Sequence, residues 1–207
     1  SAVRAQSYFQ KTYGGSATET GVAVDLTSDG GYIVGGTTNS FGSGSTDVFL
    51  VKLDASGDTM WAKAVGTGGS ETGAWLEQTA DNGYIITGTN GSLYLNKVDA
   101  SGISVWAKSY GGTSNDEGKS VQQTPDNGYI VAGFTSSSGA GAIDVFLIKT
   151  NASGDTTWTK TYGGSANDRA YSVDQTSDGG YIICGQTNSF GAGGSDVYLV
   201  KDRKSVV

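Results

Sequence analysis

Four acidic side chains hold the same position in four copies of a repeated sequence, and they are the first candidates for binding chemistry. They are Glu19, Glu71, Asp116 and Asp168. If the repeats form a ring, equivalent positions form a circle, and carboxylates that converge on it repel one another unless a cation lies between them. Calcium is the candidate ion, because it accepts oxygen ligands in flexible geometry. The alternative is that each carboxylate accepts hydrogen bonds from backbone N–H groups of its own loop.

One tryptophan interrupts the repeat pattern. Trp75 stands where the other copies have Ala23, Ser120 and Ser172, and the second copy is seven residues shorter than the first. An irregular aromatic side chain is the best candidate for contact with a ligand such as a glycan. The other interpretation is that Trp75 fills a narrow core at the axis of the ring.

The composition excludes the common nucleophilic catalysts. The chain has no His and a single Cys, Cys184, so it has no Ser-His-Asp or Cys-His system, no His-ligated zinc and no intramolecular disulfide. Paired carboxylates could serve glycoside hydrolysis, but no acidic residue distinguishes one repeat from another. We therefore expect a protein that is not an enzyme and that needs no cofactor, calcium apart.

Charge and apolar patterning exclude two classes of partner. The formal net charge of −7 argues against nucleic acid, whose phosphates attract Lys and Arg patches. No apolar run approaches the roughly 20 residues that cross a bilayer as a helix, so no membrane insertion is expected. The remaining candidate partners are further copies of the protein and surface glycans.

Four internal repeats place these residues. Tyr-Gly-Gly-Ser or Tyr-Gly-Gly-Thr opens copies at Tyr13, Tyr110 and Tyr162, and a weaker copy opens at Val65. Each copy then has Gly-Tyr-Ile followed by an apolar stretch that ends in Lys. Periods of 20–50 residues are typical of solenoids, propellers and arrays. We expect one domain, residues 1–207, with repeats at approximately 13–64, 65–109, 110–161 and 162–207 plus 1–12.

Each repeat predicts four short strands. In the first copy they cover residues 21–27, 32–37, 48–53 and 59–65, and Gly, Asp, Asn and Ser turns separate them. Four strands per repeat are typical of a propeller blade. The predicted fold is therefore all-β, a β-propeller of four four-stranded blades. The main rival is half of a larger ring in a dimer.

The N-terminal residues predict how the last blade is completed. They match the outer strand of the third repeat, with Phe9 in the place of the tryptophan. We expect Tyr8, Phe9, Lys11 and Tyr13 to form the outer strand of the last blade, in their own molecule or in a neighbour. The first arrangement closes a ring, whereas the second is a heterologous contact that propagates as a fibre.

Several repeated side chains have structural interpretations. In the first turn of each repeat, an acidic residue is expected to accept hydrogen bonds from the backbone. The repeated lysines are expected to face solvent and protect the sheet edge. A large aromatic residue in each repeat is expected to pack between blades. Cys184 is expected to be a small core residue. The turn acids are Asp29, Asp81, Asp126 and Asp178; the lysines are Lys52, Lys97, Lys149 and Lys201 together with Lys11, Lys63, Lys108 and Lys160; the aromatic residues are Phe9, Trp61, Trp106 and Trp158.

The repeat sequence resembles a known family. The run of residues 158–173, Trp-Thr-Lys-Thr-Tyr-Gly-Gly-Ser-Ala-Asn-Asp-Arg-Ala-Tyr-Ser-Val, with Asp-Gly-Gly-Tyr-Ile-Ile-Cys-Gly at 178–185, resembles the secreted bacterial and archaeal β-propeller repeats called SBBP. The resemblance implies an extracellular or cell-surface setting and no assigned activity. The Asp-Ala-Ser-Gly-x-x-x-Trp element at 54–61 and 99–106 is similar to the tryptophan-docking motif of quinoprotein dehydrogenases and to the Asp-box of sialidases. Both are structural hairpins, so neither implies chemistry.

These observations favour a non-catalytic extracellular protein, structural or adhesive, that assembles into a fibre by exchange of its N-terminal strand. Asn90-Gly-Ser and Asn151-Ala-Ser are glycosylation sequons compatible with an exported surface. The alternative is a glycan- or calcium-binding propeller module of a secreted protein. The last alternative, after these two, is a glycoside-active enzyme.

Overall fold

A computed structural model describes residues 8–203 and has four antiparallel sheets of four, four, four and three strands. We call them blades 1 to 4, each with its strands in chain order. Blade 1 has β1 (Glu19–Leu26), β2 (Tyr32–Thr38), β3 (Asp47–Leu53) and β4 (Thr59–Val65); blade 2 has β5 (Thr72–Gln78), β6 (Tyr84–Thr89), β7 (Leu93–Val98) and β8 (Ser104–Tyr110). Blade 3 has β9 (Asp116–Gln123), β10 (Tyr129–Thr135), β11 (Asp144–Thr150) and β12 (Thr156–Tyr162); blade 4 has β13 (Asp168–Gln175), β14 (Tyr181–Thr187) and β15 (Asp196–Asp202).

The predicted four strands per repeat are confirmed in blades 1 to 3, and three of the four are present in blade 4 within residues 8–203. Sequential antiparallel pairing follows from the short turns that join neighbouring strands. In the β1–β2 turn, Asp29 accepts a hydrogen bond from the N–H of Gly31 at 3.1 Å. The residue between them has a left-handed backbone, and only Gly or Asn occupies that position in the repeats; Gly30 has a φ of 82° and Asn82 a φ of 62°.

Successive blades pack face to face. The face of a blade that meets the preceding blade is called its leading face, and the face that meets the following blade its trailing face. At the first joint, Ile33 and Leu50 of blade 1 form one cluster with Leu76 and Tyr84 of blade 2. Equivalent clusters join blade 2 to blade 3 and blade 3 to blade 4. Three similar joints therefore form most of the core, and a fourth cluster lies on the leading face of blade 1, where Phe49, Val51 and Leu53 pack with Tyr13.

The aromatic residues of the outer strands close these joints, as the sequence predicts. Trp61 of blade 1 meets Tyr84 of blade 2 edge-on, with ring centroids 5.9 Å apart. Trp106 and Tyr129 repeat the contact at 5.8 Å. Each outer strand thus contacts both its own blade and the next one.

Three of the repeated lysines do not face solvent, so the prediction is wrong for these three. Lys52, Lys97 and Lys149 are only 4%, 5% and 6% exposed. Each ammonium group instead pairs with the acidic residue of the first turn in its own blade. Each ammonium group also donates to the carbonyl of the next residue, and the turn acid neutralises its charge.

Cys184 is exposed, so its prediction as a core residue is also wrong. Its counterparts Thr87 and Ala132 are fully buried because a following blade covers them. Blade 4 has no following blade among residues 8–203.

Within residues 8–203, no helix is long and apolar enough to cross a membrane.

Candidate functional site

The two end faces of the blade series are the largest departures from its internal pattern. Val24, on the leading face of blade 1, is 67% exposed, whereas its counterparts Leu76, Val121 and Val173 are at most 3% exposed. Leu199, on the trailing face of blade 4, is 64% exposed, and its counterparts Leu50, Leu95 and Leu147 are fully buried. Both end faces thus present apolar side chains of the kind that elsewhere form a joint. The sequence predicted equivalence of these residues but not which copies would be uncovered.

Residues 8–13 lie against blade 1 in the place of an outer strand of a preceding blade. Phe9 meets Tyr32 edge-on at 5.9 Å, as Trp61 meets the tyrosine of blade 2. The Tyr13 hydroxyl donates to the carbonyl of Gly57 at 2.7 Å, and Lys11 pairs with Asp58 at 2.7 Å. We call residues 8–13 the docking segment.

The same two polar contacts recur inside the chain. The Tyr110 hydroxyl donates to the Gly154 carbonyl at 2.6 Å, and Lys108 pairs with Asp155 at 2.5 Å. These residues belong to the outer strand of blade 2 and to blade 3. The docking segment therefore reproduces a joint contact without a blade of its own.

The predicted pairing of the docking segment with the last blade is not among the contacts of the structure. Within residues 8–203, blade 4 is a three-stranded sheet, and β15 pairs with β14 alone. The docking segment forms no strand ladder there. Tyr8, which the sequence placed in the pairing strand, is 89% exposed. Closure of the last blade stays a prediction.

The four acidic residues of the repeat do not converge on an axis. No group of three or more His, Cys, Asp or Glu side chains suited to a metal occurs in the described part of the chain. Instead each carboxylate accepts hydrogen bonds from its own blade: Glu19 from the N–H of Gly15 at 2.9 Å, and Asp168 from the Ser189 hydroxyl at 2.6 Å. The loop-capping alternative describes these contacts.

The burial of these carboxylates was not evident from the sequence. Glu71 is 1% exposed, and Asp116 and Asp168 are fully buried. One oxygen of each has no hydrogen-bond partner. For Asp168, burial opposes ionisation, but hydrogen bonds from Ser189, Thr187 and Gly164 outweigh it and lower the pKa.

A shallow groove lies where the first strands of the four blades meet. It has a volume of about 310 Å³, and Trp75, Asp25, Glu77 and Asp174 line it. Trp75 is 46% exposed, so it does not fill a closed core. Burial raises the pKa of Glu77, a hydrogen bond from Gln123 opposes the rise, and the charges of Asp25 and Asp174 add to it. An aromatic surface beside carboxylates is suited to weak contact with polar ligands.

The two sequon asparagines lie outside the strands. Asn90 donates to the Ser109 hydroxyl at 2.9 Å. Asn151 is exposed, and its amide donates to Asp155 at 3.1 Å. Their modification stays a prediction.

Comparisons with known proteins show the fold alone. No protein-family model matches the sequence, and no curated protein matches it. A protein of unknown function from Bacteroides caccae superposes with a TM-score of 0.52 and 10% identity, over 88% of this chain and 61% of its own. A putative exo-beta-1,3-galactanase from Bifidobacterium bifidum s17 superposes with a TM-score of 0.52 and 10% identity, over 86% of this chain and 65% of its own. The chain therefore spans less than two thirds of either structure, and the repeated antiparallel sheets are consistent with propeller blades.

Proposed function

We propose that the protein is a non-catalytic structural module of an extracellular or cell-surface assembly, in which copies join end to end. The trailing face of blade 4 in one copy receives the leading face of blade 1 and the docking segment of the next. The observation that carries the proposal is the exposure of Val24 and Leu199, whose counterparts are buried at every internal joint.

The internal joints supply the template for the contact. At the first joint, Leu76 lies against Gly35, and its Cβ is 3.7 Å from the position that a Cβ on Gly35 would occupy. Val24 is the counterpart of Leu76, and Cys184 is the counterpart of Gly35. Stacked end to end, two copies would place Val24 of one over Cys184 of the other. Burial of such apolar surface contributes about 25 cal/mol per Å².

The docking segment adds backbone pairing to this contact. It already lies on blade 1 where an outer strand belongs, and β15 of a neighbouring copy has an edge to which it can pair. Backbone hydrogen bonds along a strand supply affinity, and the seat of Phe9 against Tyr32 fixes the register. A contact between two unlike surfaces propagates unless its rotation closes a ring.

Cysteine crosslinking tests this arrangement directly. The variant Val24→Cys pairs a new thiol with the native Cys184 across the proposed contact. Cβ atoms about 3.8 Å apart are well placed for a disulfide, so mild oxidation should give a ladder of covalent dimers and larger multimers on non-reducing gels. Gly35→Cys with Leu76→Cys, in a Cys184→Ala background, is the matched control and should crosslink within one chain.

The outcomes separate three arrangements. A multimer ladder supports end-to-end assembly. A crosslinked monomer means that the chain closes its own ring. No crosslink from Val24→Cys, when the internal control forms its disulfide, means that the end faces do not meet. Val24→Cys combined with Cys184→Ala reports any disulfide between two copies of position 24.

The exposed Trp75 favours a second candidate function, weak binding of a glycan in the groove. Stacking of an aromatic ring against a sugar, next to the carboxylates of Asp25 and Glu77, is the basis of this candidate. Titration of Trp fluorescence with a panel of soluble oligosaccharides tests it. Loss of the signal in Trp75→Ala, but not in Trp106→Ala, would support binding in the groove. No response to any sugar would leave assembly as the function.

A further inference from the structure

We propose that two of the three joints in the chain each bind a calcium ion between carboxylates of neighbouring blades. The sites lie between blades 1 and 2 and between blades 3 and 4. Each is complete within one chain, so the proposal does not depend on assembly of several copies.

The first site pairs Asp47 of blade 1 with Glu71 of blade 2. Both residues are 1% exposed. A Cβ on Gly66 would collide with Asp47 Oδ1 and with Glu71 Oε2, so the absence of a side chain there leaves room where the two carboxylates face each other. Both oxygens lie less than 3.0 Å from that one point, which places them within about 5 Å of each other, a range in which like charges interact strongly.

The remaining oxygens of the pair have few partners. Asp47 Oδ2 accepts a hydrogen bond from the N–H of Gly44 at 3.1 Å, and Glu71 Oε1 accepts one from the Thr67 hydroxyl. Glu71 Oε2, the oxygen that faces Asp47, is buried and has no partner. A buried carboxylate oxygen without a hydrogen bond is costly, and here that oxygen also faces a second buried carboxylate, a combination that indicates a missing cation.

The second site has a similar pair of carboxylates. Asp144 is 1% exposed and Asp168 is fully buried, and a Cβ on Gly163 would collide with Asp144 Oδ1 and with Asp168 Oδ2. Asp144 Oδ2 accepts from the N–H of Gly141 at 2.9 Å. Asp168 Oδ2, the oxygen that faces Asp144, accepts from the N–H of Gly164 at 2.9 Å and from the Ser189 hydroxyl at 2.6 Å, and the oxygen without a partner is Asp168 Oδ1. Two joints of different sequence thus bring two buried carboxylates together over a glycine.

Among residues 8–203, no protein cation pairs with these carboxylates. None of the eight Lys–carboxylate pairs formed within residues 8–203 includes Asp47, Glu71, Asp144 or Asp168. Two buried like charges are strongly unfavourable without a counter-ion. A hard divalent cation satisfies both carboxylates at once, and calcium suits an irregular set of carboxylate, loop and water oxygens better than magnesium, which requires octahedral geometry.

The middle joint is an internal control. Asp116 of blade 3 occupies the position of Glu71 and Asp168, but in blade 2 the position of Asp47 is held by Ser92. This joint keeps the backbone hydrogen bond of the other two, from the N–H of Asp116 to the carbonyl of Gly91 at 3.2 Å, but it lacks the second carboxylate. One carboxylate does not make a site, so we expect two calcium ions per chain and not three.

Metal analysis after dialysis against buffered calcium tests the stoichiometry. The wild-type protein should retain two calcium ions per chain, Glu71→Gln and Asp168→Asn one each, and the double variant none. Asp116→Asn is the matched control: it removes an equally buried carboxylate and should retain both ions. Circular dichroism identifies any variant that fails to fold, and the milder Asp47→Asn and Asp144→Asn then give a second reading of the same two sites.

Terbium luminescence gives an independent readout. Burial raises the pKa of Tyr94, and the nearby charges of Glu71 and Asp47 add to the rise. Burial likewise raises the pKa of Tyr198, and the charges of Asp168 and Asp144 add to it. Terbium bound at either site should therefore emit on tyrosine excitation, and calcium should displace it. A folded wild-type protein that binds neither ion at millimolar concentration, or that loses metal equally on Asp116→Asn, would overturn the proposal and indicate that each carboxylate pair shares a proton.

Discussion

The pair of Lys97 and Asp81 supports a quantitative prediction, because its ammonium group is buried while its carboxylate reaches solvent. The side chains are 6% and 64% exposed, and Nζ lies 2.9 Å from Asp81 Oδ2. The second acceptor of the ammonium is the carbonyl of Val98 at 3.0 Å. Asp81→Asn keeps the shape of the turn and an oxygen for the N–H of Gly83, so it removes chiefly the negative charge.

The expected cost follows from this geometry. A lost hydrogen bond to a charged group costs about 1.5–3 kcal/mol, and breaking a fully buried pair costs about 3–5 kcal/mol. Because solvent screens the exposed carboxylate, we expect Asp81→Asn to lower the free energy of unfolding by about 2 kcal/mol. Asp126→Asn in blade 3 should cost the same, since Lys149 is 8% exposed and its partner 65% exposed in that pair.

Blade 4 provides the matched control. There Lys201 and Asp178 are 43% and 51% exposed, so Asp178→Asn should cost clearly less than Asp81→Asn, because solvent screens an exposed pair. Lys97→Met, which removes the buried charge and keeps the apolar stem, should cost less than Asp81→Asn. Urea unfolding followed by Trp fluorescence, at pH 7 and constant ionic strength, measures all of these. Equal costs for Asp81→Asn and Asp178→Asn would refute the role of lysine burial, and a larger cost for Lys97→Met would refute the charge argument.

Three further predictions concern the joints, acid stability and the end faces. Leu76→Ala should destabilise the monomer by about 3 kcal/mol through a cavity at the first joint, whereas Val24→Ala should leave its urea midpoint unchanged and weaken association in light scattering. The pKa values of Asp81 and Asp126 are lowered to about 2, because hydrogen bonds and the lysine charges outweigh burial. The stabilisation that these two carboxylates contribute to the fold is complete above their unfolded pKa near 4 and is lost as the pH falls to about 2. Acid titration followed by circular dichroism measures this loss. Cys184 should react rapidly with a thiol reagent in the monomer and become protected in assemblies, and equal rates in both states would contradict its place in the contact.

The strands and turns could be predicted because they depend on local sequence. Four copies of Gly-Tyr-Ile, each followed by an apolar stretch that ends in Lys, define the alternation of the strands, and the turn acids make the local hydrogen bonds that their position indicates. The packing of Trp61 and Trp106 against the next blade was also predictable, since a large aromatic residue repeated once per blade has few other places to lie.

Features that depend on a neighbouring blade could not be predicted in the same way. A lysine at the end of an apolar strand gives the same sequence pattern whether its side chain is exposed or buried by neighbouring elements, so the burial of Lys52 was missed. The exposure of Cys184 depends on the absence of a blade over blade 4 rather than on its own strand. The pairing of Asp47 with Glu71 was missed because the two residues belong to different repeats, and comparison of equivalent positions groups each with its counterparts instead.

The two end faces have a consequence for the direction of growth. The leading face of blade 1 carries Val24 and the docking segment, and the trailing face of blade 4 carries Leu199 and Cys184, so the two ends of the proposed row would be chemically different. Such a row has polarity, and its two tips can be blocked separately. The variant Val24→Asp keeps its trailing face, so it would bind one neighbour through that face. Its leading face would carry a charge and would not accept a second neighbour. Small amounts of this variant would shorten the row, because the variant can occupy only an end position and blocks further addition there.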